Sequence, residues 1–178
     1  MNVRQIEKYI TEYGNDVYRF CYYLTRSKEL ADDLYQDCFL TVMEKETIVL
    51  QGKEKNYLIG VAANIWKNKW RKEKRRQEFI IQAEFNDDYM SDKDNLELLY
   101  SKDPLDFYVD KETASLVSEI VDSLPEQYRI VVLMYYSAEM STSDIAKELH
   151  MSKGTVTSRL MRARKLIKTG LEAKGYER

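Results

Sequence analysis

The chain has 178 residues, 44% apolar and 33% charged, which excludes fibrous and disordered classes and leaves room for one or two small domains. With only 6 glycines and 2 prolines it holds too few turn-formers for a many-stranded protein, so helices are the default reading. The formal net charge of −2 argues against a protein that coats nucleic acid unspecifically.

Ile6, Ile10, Tyr13, Val17, Phe20 and Leu24 recur at steps of three and four, and predict a first helix with those residues inward. A second stripe, Ala31, Leu34, Cys38 and Val42, predicts a helix whose other face carries Glu29, Asp33, Gln36, Asp37, Leu40 and Glu44. A third, Leu58, Val61, Ala62 and Ile65, runs on through Trp66 and Trp70 into a basic run ending at Arg76. Trp70 is assigned to core packing, while Trp66 and Tyr57 suit either core or surface. These helices define a first domain, residues 1–78.

Residues 79–112 carry 10 acidic and 3 basic side chains, have no sustained period and contain Pro104. They read as an acidic flexible linker, with one short helical piece around Leu96 to Tyr100. A second domain, 113–178, opens with Leu116, Val117, Ile120, Val121 and Leu124. Pro125 then sits near the start of a helix that turns Tyr128, Val131, Val132 and Tyr135 inward.

Ser141 with Asp144 three residues on resembles a capping box, opening a short helix through Ile145, Ala146 and Leu149. After a tight turn Ser152 can cap a last helix that buries Val156, Leu160, Ala163 and Ile167. Thr155, Ser158, Arg159 and Arg162 share its outward side, and Arg164, Lys165 and Lys168 would follow a phosphate backbone. This is a helix-turn-helix, whose second helix suits a major groove. The fold expected is therefore all-α, two small helical domains joined by the acidic linker, the C-terminal one containing the helix-turn-helix.

Cys21 and Cys38 lie in helical patterns rather than a CxxC pair and read as reduced core thiols. The lone His150 suits a turn, no Glu-x-x-His pair suggests a metal, and no phosphate-cradling loop or nucleophile elbow is present. An enzyme, a cofactor and a small-molecule substrate are not expected. Neither a membrane span nor a secretion signal is recognisable, so no membrane insertion and a cytoplasmic location are expected.

Three stretches, 31–45 (ADDLYQDCFLTVMEK), 57–76 (YLIGVAANIWKNKWRKEKRR) and 124–168, resemble in order and spacing the extracytoplasmic-function (ECF, group IV) sigma factors of the sigma-70 family. The resemblance implies a region-2-like domain, a region-4-like domain, and a sigma factor that binds core RNA polymerase and directs promoter DNA recognition, strand opening and transcription initiation. It implies that Asp32, Asp33, Leu34, Gln36 and Asp37 dock on the polymerase, an acidic face with an exposed leucine being suited to a reversible contact. It implies that Lys55, Tyr57, Asn64, Lys67, Lys69, Arg71 and Lys72 contact the minus-ten element. It assigns Ser152, Lys153, Thr155, Ser158, Arg159 and Arg162 to the minus-thirty-five element. An anti-sigma protein is a further partner common among such relatives.

Gly60 and Ala63 stand where many relatives have arginines, which shifts the expected strand-holding charge toward Lys67 to Arg76. His150 stands at a turn position where Gly is frequent, and Thr157 replaces a common lysine. The alternative is a stand-alone helix-turn-helix DNA-binding transcriptional regulator, whose first domain would serve dimerisation or sensing.

A free coil of this linker's length spans about 30–35 Å, whereas two promoter elements two helical turns apart lie about 70 Å from each other. The expectation is that the two domains, in isolation, gain little from each other until a larger machine holds them apart.

Overall fold

The structure is a computed structural model and describes residues 3–45, 52–81 and 111–176. Seven α-helices are described: α1 (Val3–Thr25), α2 (Lys28–Glu44), α3 (Glu54–Ile81), α4 (Lys111–Ser123), α5 (Glu126–Val132), α6 (Thr142–Glu148) and α7 (Lys153–Ala173), with a π-helical segment, Leu133–Ser137, continuing α5. Between α3 and α4, residues 82–110 lie outside the described residues, and with them most of the acidic segment and its expected short helix.

α1, α2 and α3 pack around one core. Val17, Phe20, Leu24, Ala31, Leu34, Cys38, Val42, Leu58 and Ala62 are all buried, as their periodicity predicts. The α1 stripe is rotated slightly: Tyr9 and Cys21 are buried, while Ile10 is 43% exposed. Ser27 caps α2 by accepting from the Leu30 N–H, so the turn from α1 is only a few residues long.

The second body packs α4, α5 and α6 on α7. Val156, Leu160, Ala163 and Ile167 form the buried stripe of α7. The π-helical segment adds one residue per turn and ends in hydrogen bonds from Ala138 N–H to Leu133 O (3.0 Å) and Met140 N–H to Met134 O (3.0 Å). It brings Tyr136 onto α7, where its hydroxyl accepts from Arg164 Nε at 2.8 Å. The Arg164 guanidinium also lies 5.8 Å from the Tyr135 ring centroid. Arg164, expected along a phosphate backbone, packs here against these two tyrosines.

The two bodies touch. α3 lies against α6, and α1 against the π-helical segment. Arg129 of α5, only 2% exposed, donates to the Tyr23 carbonyl (3.1 Å) and the Leu24 carbonyl (2.5 Å) at the end of α1. Those carbonyls belong to the last turn of a helix, have no intrahelical donor and sit at the negative end of its dipole. A guanidinium from the second body therefore completes a helix of the first.

Candidate nucleic-acid and protein interfaces

The helix-turn-helix is built by local chemistry. Ser141 accepts from the Asp144 N–H at 3.1 Å and donates to its carboxylate at 2.7 Å, opening α6. His150 ends it with φ 54°, the left-handed conformation expected at that turn. Ser152 then accepts from the Thr155 N–H at 3.0 Å and opens α7. Ser152, Lys153 and Arg162 are exposed, whereas Thr155, Ser158 and Arg159 are half-buried. The Thr155 hydroxyl is within 2.8 Å of that of Ser152, and Ser158 donates to the Thr155 carbonyl, so both present acceptor lone pairs at a compact polar surface.

The cations expected at the minus-ten element divide into three groups. Lys72 is exposed. Lys55 pairs with Asp16 at 3.7 Å and Lys69 with Asp37 at 2.6 Å. Lys67 and Arg71 face Arg159 of α7 across a cleft of about 380 Å³ whose floor includes Ile130, Val131 and Leu149. Burial, and then the charges of Arg71 and Arg159, pull the Lys67 pKa below the usual lysine range.

Asn64 bridges the two bodies. Its amide donates to Gly60 O at 2.9 Å and to Glu148 O of α6 at 2.8 Å. Tyr57 is partly buried beneath Lys45, whose ammonium is 5.5 Å from the ring centroid. Trp70, assigned to the core from its spacing, is 38% exposed at the cleft with Lys74 over its ring. Trp66 is the more buried indole and donates to Glu126 of α5 at 2.5 Å.

On α2, Asp33 and Gln36 are exposed and Asp32 accepts from the Tyr18 hydroxyl at 2.8 Å, which raises the Tyr18 pKa. Leu34 departs from the docking set: it is buried in the core, and a core side chain cannot anchor a partner. The exposed leucine of this face is Leu40, 56% exposed, with Leu30 a turn before the acidic residues. Lys69 reaching Asp37 makes the acidic face and the basic helix one continuous surface.

Four interbody features escaped the sequence. Besides Arg129, they are Glu126, Gly60 and the ion pair Lys53–Asp144 at 2.5 Å. The carboxylate of Glu126 holds Trp66 and Arg129 together. A Cβ built on Gly60 would meet Glu148 Cβ at 2.6 Å, so the glycine is the seat of α6 on α3. Hydrogen bonds from Lys53 and Ser141 hold the Asp144 carboxyl below its usual range, and burial pushes Glu148 up. Among the described residues, no helix is long and apolar enough to cross a membrane.

Residues 9–76 match Sigma-70 region 2 and residues 115–167 match Sigma-70, region 4. The chain is 28% identical over 166 residues to the ECF RNA polymerase sigma factor SigM of Bacillus subtilis (strain 168), covering 92% of this chain and 93% of that protein. It is 25% identical to SigW of the same organism, covering 89% and 84%. Among solved structures it is similar in fold to the sigma factor RpoE of Bartonella quintana, solved with the anti-sigma factor NepR, with a TM-score of 0.63, 18% identity, and coverage of 96% of this chain and 98% of that one.

Proposed function

The chain belongs to the ECF sigma factors of the sigma-70 family, and on that premise we propose how its two bodies divide the work. A member of this family is a non-catalytic subunit that binds core RNA polymerase, directs it to promoters and starts transcription. In our reading residues 1–78 dock on the polymerase and engage the minus-ten element, and residues 113–178 read the minus-thirty-five element. Asp32, Asp33, Gln36 and Asp37 supply the acidic docking face, with Leu40 replacing Leu34 as the apolar anchor. Lys55, Tyr57, Asn64, Lys67, Lys69, Arg71 and Lys72 serve the opened strand, where cations track phosphates and flat groups meet unpaired bases. Ser152, Lys153, Thr155, Ser158, Arg159 and Arg162 enter the major groove.

The observation that carries this reading is the coexistence, on one chain, of a doubly capped helix-turn-helix and a separate body where a basic helix adjoins an acidic helix face. A duplex reader acting alone needs only the first. The working compartment in this reading is the cytoplasm, and an anti-sigma protein is a proposed partner, since RpoE of Bartonella quintana is found with NepR.

Run-off transcription with purified core polymerase on genomic fragments tests it. Discrete RNA starts that require this chain are expected; synthesis that is the same without it defeats the reading.

A further inference from the structure

We propose that the cleft between α3 and the second body is a binding site for a nucleoside diphosphate, its phosphates held by Lys67, Arg71 and Arg159 and its base laid against Trp70. The cleft has a volume of about 380 Å³, and Ile130, Val131 and Leu149, all buried, form its floor. That volume lies within the range of about 300–1,000 Å³ in which pockets hold one small molecule, and no DNA duplex fits inside it.

The positive charge in the cleft lacks its counterpart. Burial first, then Arg71 and Arg159, depress the Lys67 pKa, and among the described residues no carboxylate pairs with Lys67 or Arg71. The carboxylate that lines the cleft is that of Glu126, and it is taken up by the Trp66 indole and Arg129. Three cations around one small cavity call for an anion of several charges, which guanidinium groups grip in pairs of hydrogen bonds and an ammonium neutralises as a point charge. The other half of the site is aromatic. Trp70 is exposed at the cleft although its spacing suits a core, and the Lys74 ammonium lies over its ring at 5.7 Å, so a face of the indole is presented there. An exposed ring beside cations stacks a base while the phosphates are neutralised. Gln127, also exposed at the cleft, offers an amide donor and acceptor to a base edge. A bare phosphate would leave Trp70 unused, and an apolar ligand would leave the cations uncompensated. The site stands on this chemistry alone; where the reader assignment above holds, Lys67, Arg71 and Arg159 are shared, and bound nucleotide competes with DNA.

Equilibrium dialysis of the full chain against labelled ADP at low salt tests the site. Saturable binding of one ADP per chain is expected, with Kd on the order of 10–100 μM, and pyrophosphate or adenosine alone should bind at least about tenfold more weakly. Trp70→Leu should weaken ADP binding by at least about fivefold and Lys67→Met by at least about tenfold, both variants keeping their helical circular dichroism. No saturable binding, equal affinity for pyrophosphate, or an ADP affinity unmoved by either substitution overturns the proposal. The comparison of ADP with pyrophosphate uses the wild-type chain, so misfolding of a variant cannot mask the outcome. A short single-stranded oligonucleotide separates the two sources of the same chemistry. If it binds at least about tenfold more tightly than ADP and loses that advantage in Trp70→Leu, the cleft serves a strand and the free-nucleotide proposal falls. Saturating ADP should also weaken binding of the free chain to promoter duplex by at least about threefold. ADP that binds without this effect overturns the competition and the reader role of the three cations, while the site itself stands.

Discussion

Replacing Arg129 by Met should cost about 3 kcal/mol or more of unfolding free energy, because two helix-end carbonyls lose their donor and Glu126 keeps only the Trp66 indole without its cationic partner. Urea unfolding of the full chain measures this, and a loss below about 1 kcal/mol would show that water replaces the guanidinium freely. The residue was illegible in the sequence for a physical reason. Its neighbours Val131 and Val132 fix an inward stripe inside their own body, and Arg129 reads as surface until the first body covers it. Trp70 fails oppositely: a core spacing on α3 points into a cleft that only the second body creates. The thiols were legible, since Cys21 and Cys38 lie on stripes of their own body, and both are buried and free. Burial pushes the Cys21 pKa up to about 12 and Cys38 higher still. At pH 8 the native protein should therefore react with a thiol reagent at least about a hundredfold more slowly than the urea-unfolded chain. Equal rates would place a thiol at the surface.

At the scale of the helix, what is encoded locally was readable and what is encoded across bodies was not. Ser141, Ser152 and His150 act on neighbours within three residues, and the helix-turn-helix emerges as their caps and turn dictate. The seat of α6 on α3 depends instead on Gly60, whose meaning lies in Glu148, far along the chain. The acidic face of α2 makes a separable prediction. Charge reversal at Asp33 and Asp37 should weaken association with core polymerase by about tenfold, whereas Arg159→Ala with Arg162→Ala should spare association and reduce promoter discrimination. Equal loss of association in both variants, read by a pull-down titration, would mean the faces are assigned wrongly. The α3–α6 contact also carries opposed carboxylates. Burial raises the Glu148 pKa against the opposing pull of Lys147, His150 and Lys45, so its contribution favours closure of that contact at low pH and is lost as pH rises through its folded value. Asp144 has a lowered pKa through Lys53 and Ser141, so its contribution is present at neutral pH and lost as pH falls through its folded value. Closure should thus strengthen as pH falls through the raised Glu148 value and weaken again as pH falls further through the lowered Asp144 value. Interbody fluorescence transfer follows it, and a monotonic loss of transfer from pH 7 downward would contradict the Glu148 assignment.

For the whole molecule, the contact between the two bodies makes a prediction about association with core polymerase. If the polymerase takes up only the open form, the observed association rate should rise with polymerase concentration and then level off at the rate of opening. The plateau belongs to the wild-type interface, in which Arg129 and Glu126 hold α1 and α3 against α5. Gly60→Arg removes the seat of α6, so its plateau should lie higher or vanish within the accessible range, while dissociation of the assembled complex stays within about twofold. Stopped-flow measurements over a hundredfold range of polymerase concentration separate the cases. A wild-type rate that stays linear, and coincides with that of Gly60→Arg, would mean the docking face is reachable in the closed form. That outcome is physically coherent, because Asp33, Gln36 and Leu40 are exposed even with the bodies together. In that case docking precedes separation, and the polymerase itself does the work of parting α6 from α3 so that the readers can reach positions about 70 Å apart. The same experiment therefore orders the two events, with the acidic face as the first contact or the open chain as the only competent one.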